Sequence, residues 1–258
     1  MNFKKYVVAH SVNEVNELLA KSRNNIILGG MHWLKQNRKT YSIGIDISKL
    51  GLDEIIEFDD RIEIGAAVSL RDIEESELLK KYCNVLVEAV SKIVGVQFRN
   101  TATIGGSVYS RFGFSDVIAA LLTTNTLVEV NGNDQIALHQ FVQSKISKTF
   151  VTKIIIKKEV SKFAYYTMRK SATDIPYIIV SLSKTDNRYK VVVGARPSRA
   201  IYALETMKKL DEGVTDIEEL TNTLLNEVDL GSNVFSSKDY REHLVKVFLK
   251  RGVNSLWK

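Results

Sequence analysis

The sequence predicts an α+β fold on three observations. Strand-type and helix-type apolar periodicities mix along the whole chain, they do so without strict βαβ repetition, and two strands in the second half flank a hairpin turn. At 258 residues and 45% hydrophobic content the chain can bury the cores of two modest domains. The formal charge of +6 arises from interleaved acids and bases, as in Lys208-Lys209-Leu210-Asp211-Glu212, rather than from a basic arm. A mixed-charge surface of this kind predicts no nucleic-acid partner.

The elements follow in order. Tyr6-Val7-Val8-Ala9 is extended, and Ser11 with Glu14 three residues on forms a capping-box start for a helix whose apolar face is Val15, Leu18 and Leu19. Ile26-Ile27-Leu28 is a short buried strand that ends at Gly29-Gly30. Ile43 to Ile47 and Arg61 to Ala66 alternate with period two, as half-buried strands do. Ser69 and Asp72 open a helix leading into Ile73, Leu78 and Leu79, and a further helix is predicted from Val85 to Val94. Ser115 is placed to cap Val117 to Leu122; Leu127 to Val130 is a strand before the turn Asn131-Gly132-Asn133, and Lys153 to Lys158 is another. The charged stretch from Lys157 to Lys162 is the predicted domain boundary. Beyond it, Tyr177 to Leu182 and Tyr189 to Gly194 flank the Thr185-Asp186-Asn187-Arg188 turn. Ser198 is expected to cap a helix through Ile201, Leu204 and Met207, and the remainder is expected to be helical, including Tyr240 to Gly252.

Several chemistries are excluded by what the chain contains. Cys83 is the single cysteine, so neither an internal disulfide nor an iron–sulfur cluster held by this chain alone is expected. His10, His32, His139 and His243 have no metal-ligand spacing, and no metal site is predicted. Val7-Val8-Ala9 is too short for a signal peptide, and no apolar run reaches the roughly 20 residues that span a bilayer. The expected location is the cytoplasm, without membrane contact. No nucleophile elbow, Walker loop or dinucleotide fingerprint is present, and no catalytic residue is assigned.

Two glycine pairs are the candidate chemistry. At Leu28-Gly29-Gly30-Met31-His32 a buried strand gives way to a turn whose backbone N–H groups can face an anion unobstructed. The second lies in Gln97-Phe98-Arg99-Asn100-Thr101-Ala102-Thr103-Ile104-Gly105-Gly106-Ser107, where Thr103 and Ser107 add hydroxyls. A diphosphate needs donors from more than one segment, and two separated cradles would supply them.

With Phe114-Ser115-Asp116 downstream, this second stretch resembles the second FAD motif of the flavin subunits of molybdenum hydroxylases, the xanthine dehydrogenase and carbon monoxide dehydrogenase medium-subunit family. Leu28-Gly29-Gly30 resembles the family's first FAD motif. Further matches are Tyr165 to Asp174, Gly194-Ala195-Arg196-Pro197-Ser198-Arg199-Ala200, and Tyr240-Arg241-Glu242-His243-Leu244 with Lys250-Arg251, so the resemblance covers nearly the whole chain. It implies a two-subdomain FAD-binding domain of the PCMH type over 1–160, with subdomains of about 1–55 and 56–160. A small α+β domain of the CO dehydrogenase flavoprotein type, an antiparallel sheet with helices, would occupy 161–258.

The resemblance also implies site residues. Backbone from Leu28 to His32 and from Ala102 through Thr103, Ile104, Gly105 and Gly106 to Ser107 would hold the FAD diphosphate. Asp116, beside Ser115, would accept from a hydroxyl of the ribose or the ribityl chain; the same carboxylate could cap the following helix, and both roles can coexist. Met31 and His32 stand where the family has Thr and Asp, Ser107 where it has Asn, and Thr167 where it often has Lys. In Tyr109-Ser110-Arg111-Phe112-Gly113-Phe114 an alanine-rich stretch has become aromatic and basic, with Tyr109 or Phe112 either against the isoalloxazine ring or packed in the core. Arg169 and Lys170 are further candidates for FAD contact. The implied function is electron transfer from [2Fe-2S] clusters in a small subunit, fed by a large molybdenum-cofactor subunit, through FAD to NAD or another acceptor. A free-standing flavin oxidoreductase and a flavin-free scaffold are the competing readings.

Overall fold

The computed structural model describes residues 1–145 and 148–257. The chain runs β1 (Asn2–Val8), α1 (Val12–Lys21), β2 (Asn25–Leu28), a 3-10 turn at Leu34–Gln36, β3 (Thr40–Asp46), β4 (Ile55–Glu57) and β5 (Arg61–Gly65). Short helices follow: α2 (Leu70–Glu75), α3 (Glu77–Tyr82), α4 (Asn84–Ser91), α5 (Val96–Arg99), α6 (Ile104–Ser110) and α7 (Asp116–Leu121). Next come β6 (Thr126–Val130), β7 (Asp134–Ala137), α8 (Leu138–Gln143) and β8 (Val151–Lys157). The last part holds β9 (Ser161–Met168), β10 (Ile178–Thr185), β11 (Arg188–Gly194), β12 (Ile201–Tyr202), α9 (Leu204–Asp211), α10 (Ile217–Glu227) and α11 (Lys238–Trp257). The expected α+β class is the one observed.

Compactness groups these elements into two units that interleave along the chain. The first is Met1–Glu75, Gly95–Ser110 and Thr126–Lys157; the second is Ser76–Val94, Arg111–Asn125 and Lys158–Lys258. The last crossing falls in the charged stretch from Lys157 to Lys162, while two upstream segments also belong to the second unit.

The first unit holds two sheets. A parallel one has the order β1-β3-β2. β1 and β2 both run parallel to the central β3, and α1 carries the chain from one edge of the sheet to the other. Its start is fixed by Ser11, whose hydroxyl accepts from the Glu14 amide at 3.1 Å, while the Glu14 carboxylate accepts from the His10 amide at 2.8 Å. Val15 and Leu19, four residues apart on one helix face, are buried with Ala9, Ile45, Ile47, Leu52 and Phe150. Each such aliphatic side chain, fully buried, contributes about 1.5–3 kcal/mol. The second sheet is antiparallel, in the order β4-β5-β8-β6-β7, with α6 packed on β8 and β5.

The second unit is built on an antiparallel sheet, β12-β11-β10-β9. Ile178, Val180 and Leu182 alternate along β10 and share a core with Leu244, Val245, Phe248 and Leu249 of α11. The intervening face carries Ile179, Ser181 and Ser183, where Ser183 donates to the Thr123 carbonyl just past α7 at 2.7 Å. Burial on both faces explains the continuous apolar run of this strand.

Ser198 does not cap a helix. Ile201 and Tyr202 pair with Val193 and Val192 as β12, and the helix begins only at Leu204 behind Ala203. Leu204 is 63% exposed, so the Ile201/Leu204/Met207 spacing does not mark one buried stripe. The tail is helical in two pieces, α10 and α11, rather than throughout.

Candidate functional site

At the end of β2 the chain turns through Gly29 and Gly30, and Met31 takes the left-handed conformation at φ 58°. The Met31 carbonyl accepts from the Lys35 amide at 2.9 Å, opening the 3-10 turn. Among the described residues, the amides of Gly29, Gly30, Met31 and His32 find no hydrogen-bond partner within the chain. A run of open amides around a left-handed residue is the arrangement that forms anion-binding concavities.

The second glycine motif meets this turn inside the first unit. A Cβ on Gly30 would lie 2.1 Å from the Thr101 carbonyl oxygen, and one on Gly29 would lie 3.1 Å from Thr103 Oγ1. The same Thr103 oxygen is 3.1 Å from the place of a Cβ on Gly106. Thus the Gly29-Gly30 pair and the Thr103–Gly106 turn, more than 70 positions apart in sequence, line one place. His32 adds a side-chain link: its Nε2 shares a 2.6 Å hydrogen bond with Thr101 Oγ1, and its ring lies over Phe98 at 4.0 Å between centroids. Burial and the nearby Lys35 charge lower the imidazole pKa, against the raising effect of a hydrogen bond involving the Phe98 backbone.

Within the Thr103-Ile104-Gly105-Gly106 turn the donors are unequal. Ile104 donates to the Val68 carbonyl at 3.0 Å and Gly105 to the Ala66 carbonyl at 2.9 Å, while Leu70 donates to Ala102 at 2.8 Å. The expected phosphate donors at Ile104 and Gly105 are therefore committed to holding the turn. Gly105 is a packing glycine, since a Cβ there would come 2.5 Å from that of Ala66. The Gly106 amide makes a long 3.3 Å contact to Thr103 Oγ1, and the Thr103 amide is open among the described residues. Ser107 donates its hydroxyl to the Thr103 carbonyl at 2.9 Å, and Ser110 to the Ser107 carbonyl at 3.1 Å.

The turn is anchored from behind by Arg99 of α5, which is buried and grips Glu74 of α2 through Nε at 2.9 Å and Nη2 at 3.1 Å. Arg71 adds a 2.7 Å pair to the same carboxylate. Burial pushes the Glu74 pKa up, but the Arg99 and Arg71 hydrogen bonds and charges outweigh it and hold the carboxyl below its ordinary range. No local sequence pattern pairs Glu74 with Arg99, and Thr101 had no motif status; both were missed for that reason.

Asp116 lies in the second unit. Ser115 caps α7 through the Ile118 amide at 3.2 Å, and Asp116 is the first helical residue. Its carboxylate, 5% exposed, accepts from the Tyr165 hydroxyl and from Arg169 Nη2. Arg169 also donates Nη1 to the Asp174 carbonyl at 2.9 Å. Burial raises the Asp116 pKa against the pull of the Arg169 charge and both hydrogen bonds, and it raises that of Tyr165 as well. Ser115 rather than Asp116 makes the capping hydrogen bond; Asp116 stands in the first turn, and a buried ion pair with Arg169 engages its Oδ1. Tyr165, Thr167 and Arg169 alternate on one face of the β9 strand line, and Thr167 Oγ1 and Arg169 Nε are buried without a hydrogen-bond partner. Lys170 is exposed.

The aromatic stretch divides. Tyr109, on α6, is 37% exposed, whereas Phe112 and Phe114 stack on each other at 5.1 Å. The Gly113 carbonyl between them accepts from Ala195 at 2.8 Å, tying this loop to the Gly194–Ala200 segment.

Open amides on two converging segments, bare of side chains at Gly29 and Gly30, fit the diphosphate of a dinucleotide cofactor. Residues 1–159 match the family described as the FAD binding domain in molybdopterin dehydrogenase, and the chain belongs to that family. Among its relatives, the nicotine 6-hydroxylase medium subunit of Paenarthrobacter nicotinovorans is 22% identical, over 96% of this chain and 95% of that protein. The xanthine dehydrogenase FAD-binding subunit of Escherichia coli O157:H7 is 22% identical, over 98% and 96%. The fold matches a chain of carbon monoxide dehydrogenase from Hydrogenophaga pseudoflava with a TM-score of 0.90 at 19% identity, covering 100% of this chain and 98% of that one. A chain of quinoline 2-oxidoreductase from Pseudomonas putida 86 gives 0.87 at 17% identity, covering 98% and 96%. No described helix is long and apolar enough to cross a membrane, and no group of three or more His, Cys, Asp or Glu among the described residues could hold a metal ion.

Proposed function

We propose that this chain is the FAD-binding subunit of a molybdenum-containing hydroxylase and acts there as an oxidoreductase in electron transfer. The observation that carries the reading is the run of open amides at Gly29, Gly30, Met31 and His32 beside that of Thr103. Backbone dipoles meet the diphosphate charge without a desolvated cation, and the lack of a side chain at Gly29 and Gly30 leaves room for close approach. Leu28 ends the strand that aims the first cradle; Ala102, Ile104, Gly105, Gly106 and Ser107 hold the second in shape. Asp116, with Ser115, Tyr165 and Arg169, forms the polar cluster of the second unit. The orphaned Thr167 Oγ1 and Arg169 Nε make that cluster the candidate for contact with the sugar or ribityl hydroxyls, and Tyr109, Ser110 and Lys170 are further assigned to FAD.

When bound, FAD would supply the redox chemistry, taking electrons one or two at a time and releasing them to an acceptor. The chain's own share is binding, orientation and exclusion of water. We assign it partners: a small [2Fe-2S] subunit as electron source and a large molybdenum-cofactor subunit as the place of hydroxylation, with NAD or another acceptor downstream. In sequence terms we assign FAD binding to 1–160 and a CO dehydrogenase flavoprotein-type domain to 161–258, and we place the protein in the cytoplasm. The relatives named as medium or FAD-binding subunits, matched nearly end to end, support this division of labour.

The test is direct. The purified chain, reconstituted with FAD, should be yellow with a flavin absorption spectrum and should be reducible by dithionite. It should not hydroxylate a purine, an aldehyde or an N-heterocycle by itself. A chain that retains no flavin after reconstitution would remove the cofactor assignment; turnover by the lone chain would remove the partners.

A further inference from the structure

Among the described residues the amides of the Gly29–His32 segment make no hydrogen bond within the chain, so something other than those amides must hold the segment in place. Two consecutive glycines make it the kind of segment that loses most freedom on ordering, at about 1–2 kcal/mol per residue. Its backbone fastening lies at Met31, whose carbonyl starts the 3-10 turn. The remaining fastening is by side chain, and His32 provides it: Nε2 to Thr101 Oγ1 at 2.6 Å and the ring on Phe98 at 4.0 Å. Both partners belong to the segment that ends in Thr103, and Gly30 passes against the Thr101 carbonyl. That segment is itself pinned by the part-buried Arg99–Glu74 pair.

We infer that His32 is a positioning residue that struts the Gly29–His32 amides against the Thr101–Thr103 segment, and so sets the preference of this chain for a diphosphate-bearing ligand over a bare flavin. The inference rests on the FAD assignment. The imidazole acts here as a neutral strut: one ring nitrogen is engaged with Thr101, and burial with the Lys35 charge disfavours the protonated form. The phosphate charge is met by backbone N–H groups, which His32 holds in place before the ligand arrives.

The full-length chain, freed of cofactor, should be titrated with FAD, ADP and riboflavin. His32→Ala is expected to weaken FAD and ADP in parallel by roughly tenfold, the worth of one hydrogen bond plus the order it maintains, and to leave riboflavin unchanged. His32→Gln, which can still reach Thr101, should recover much of the loss. His32→Ala combined with Thr101→Val should be little worse than either change alone, because both remove one contact. Unchanged FAD affinity in His32→Ala overturns the inference while leaving the FAD assignment standing. An equal loss of FAD and riboflavin also overturns it, since it marks general disorder rather than control of the diphosphate cradle. If the unaltered chain binds none of the three, the FAD assignment itself falls, and the inference with it.

Discussion

At the scale of single residues, Gly30 is the most constrained position of the candidate site. Gly30→Ala would drive a Cβ into the Thr101 carbonyl at 2.1 Å, and backbone cannot swing aside as a side chain can. We expect that substitution to cost FAD affinity at least tenfold, or about 1.4 kcal/mol, read from flavin content after reconstitution. Two largely covered, ion-paired carboxylates make a pH prediction whose sign is fixed by direction. Glu63 and Glu74 are each pushed up by burial but pulled further down by their arginine and lysine partners, so their net pKa values are lowered from 4.5. A lowered folded pKa stabilises the fold above the unfolded value and loses that contribution as pH falls through the folded one. The thermal midpoint should therefore drop as pH is taken from 5 towards 3, the linkage slope reflecting at most about one proton per carboxylate, and Glu63→Gln should flatten the slope. Cys83 is fully buried, which pushes its thiol up to about 12. It should stay unreactive to a thiol reagent at pH 8 in the native chain and react once denatured.

At the scale of elements, the helix caps carry measurable weight. All six residues of α7 are buried, and Ser115 satisfies the Ile118 amide at its start. Ser115→Ala should cost about 1–2 kcal/mol in denaturant unfolding, because the freed N–H is left inside rather than to water. This cap was legible in the sequence, as were the capping box of α1, the β10–β11 hairpin and the strand ending at the first glycine pair, since all of these are written in local spacing. What was not legible shares a cause. Strand β9, in Ser161–Met168, hides its purpose because Tyr165 is buried polar against Asp116, 49 residues away. Ser198 looked like a cap because Ile201, Leu204 and Met207 have helical spacing; pairing of Ile201 and Tyr202 with β11 overrode it. β4, β7 and α8 were likewise missed, being only three, four and six residues long. At the site, sequence placed the two glycine segments but not which amides were free. That depends on Val68 and Ala66 carbonyls taking the Ile104 and Gly105 donors, a fact of tertiary pairing.

At the scale of the molecule, the chain passes between its compact units five times, at 75/76, 94/95, 110/111, 125/126 and 157/158. Val85, Leu86, Ala89 and Val90 of α4 are buried, and α4 packs on α7 and β9; α7 in turn packs on β10 and β11. A fragment ending at residue 160 would carry α4 and α7 without the sheet that covers them. We expect it to be insoluble or to bind a hydrophobic dye strongly when expressed, although it spans the whole stretch assigned to the cofactor; a soluble, cooperatively melting fragment would count against this. The same threading sets an order for synthesis. On the ribosome, the first unit lacks β8 until Lys157 has emerged, so its antiparallel sheet closes late, while the α4 and α7 segments wait longer still for β9 to β11. A nascent chain of this design exposes sticky helices for much of its translation, and should depend on chaperones in proportion to how slowly its last hundred or so codons are read.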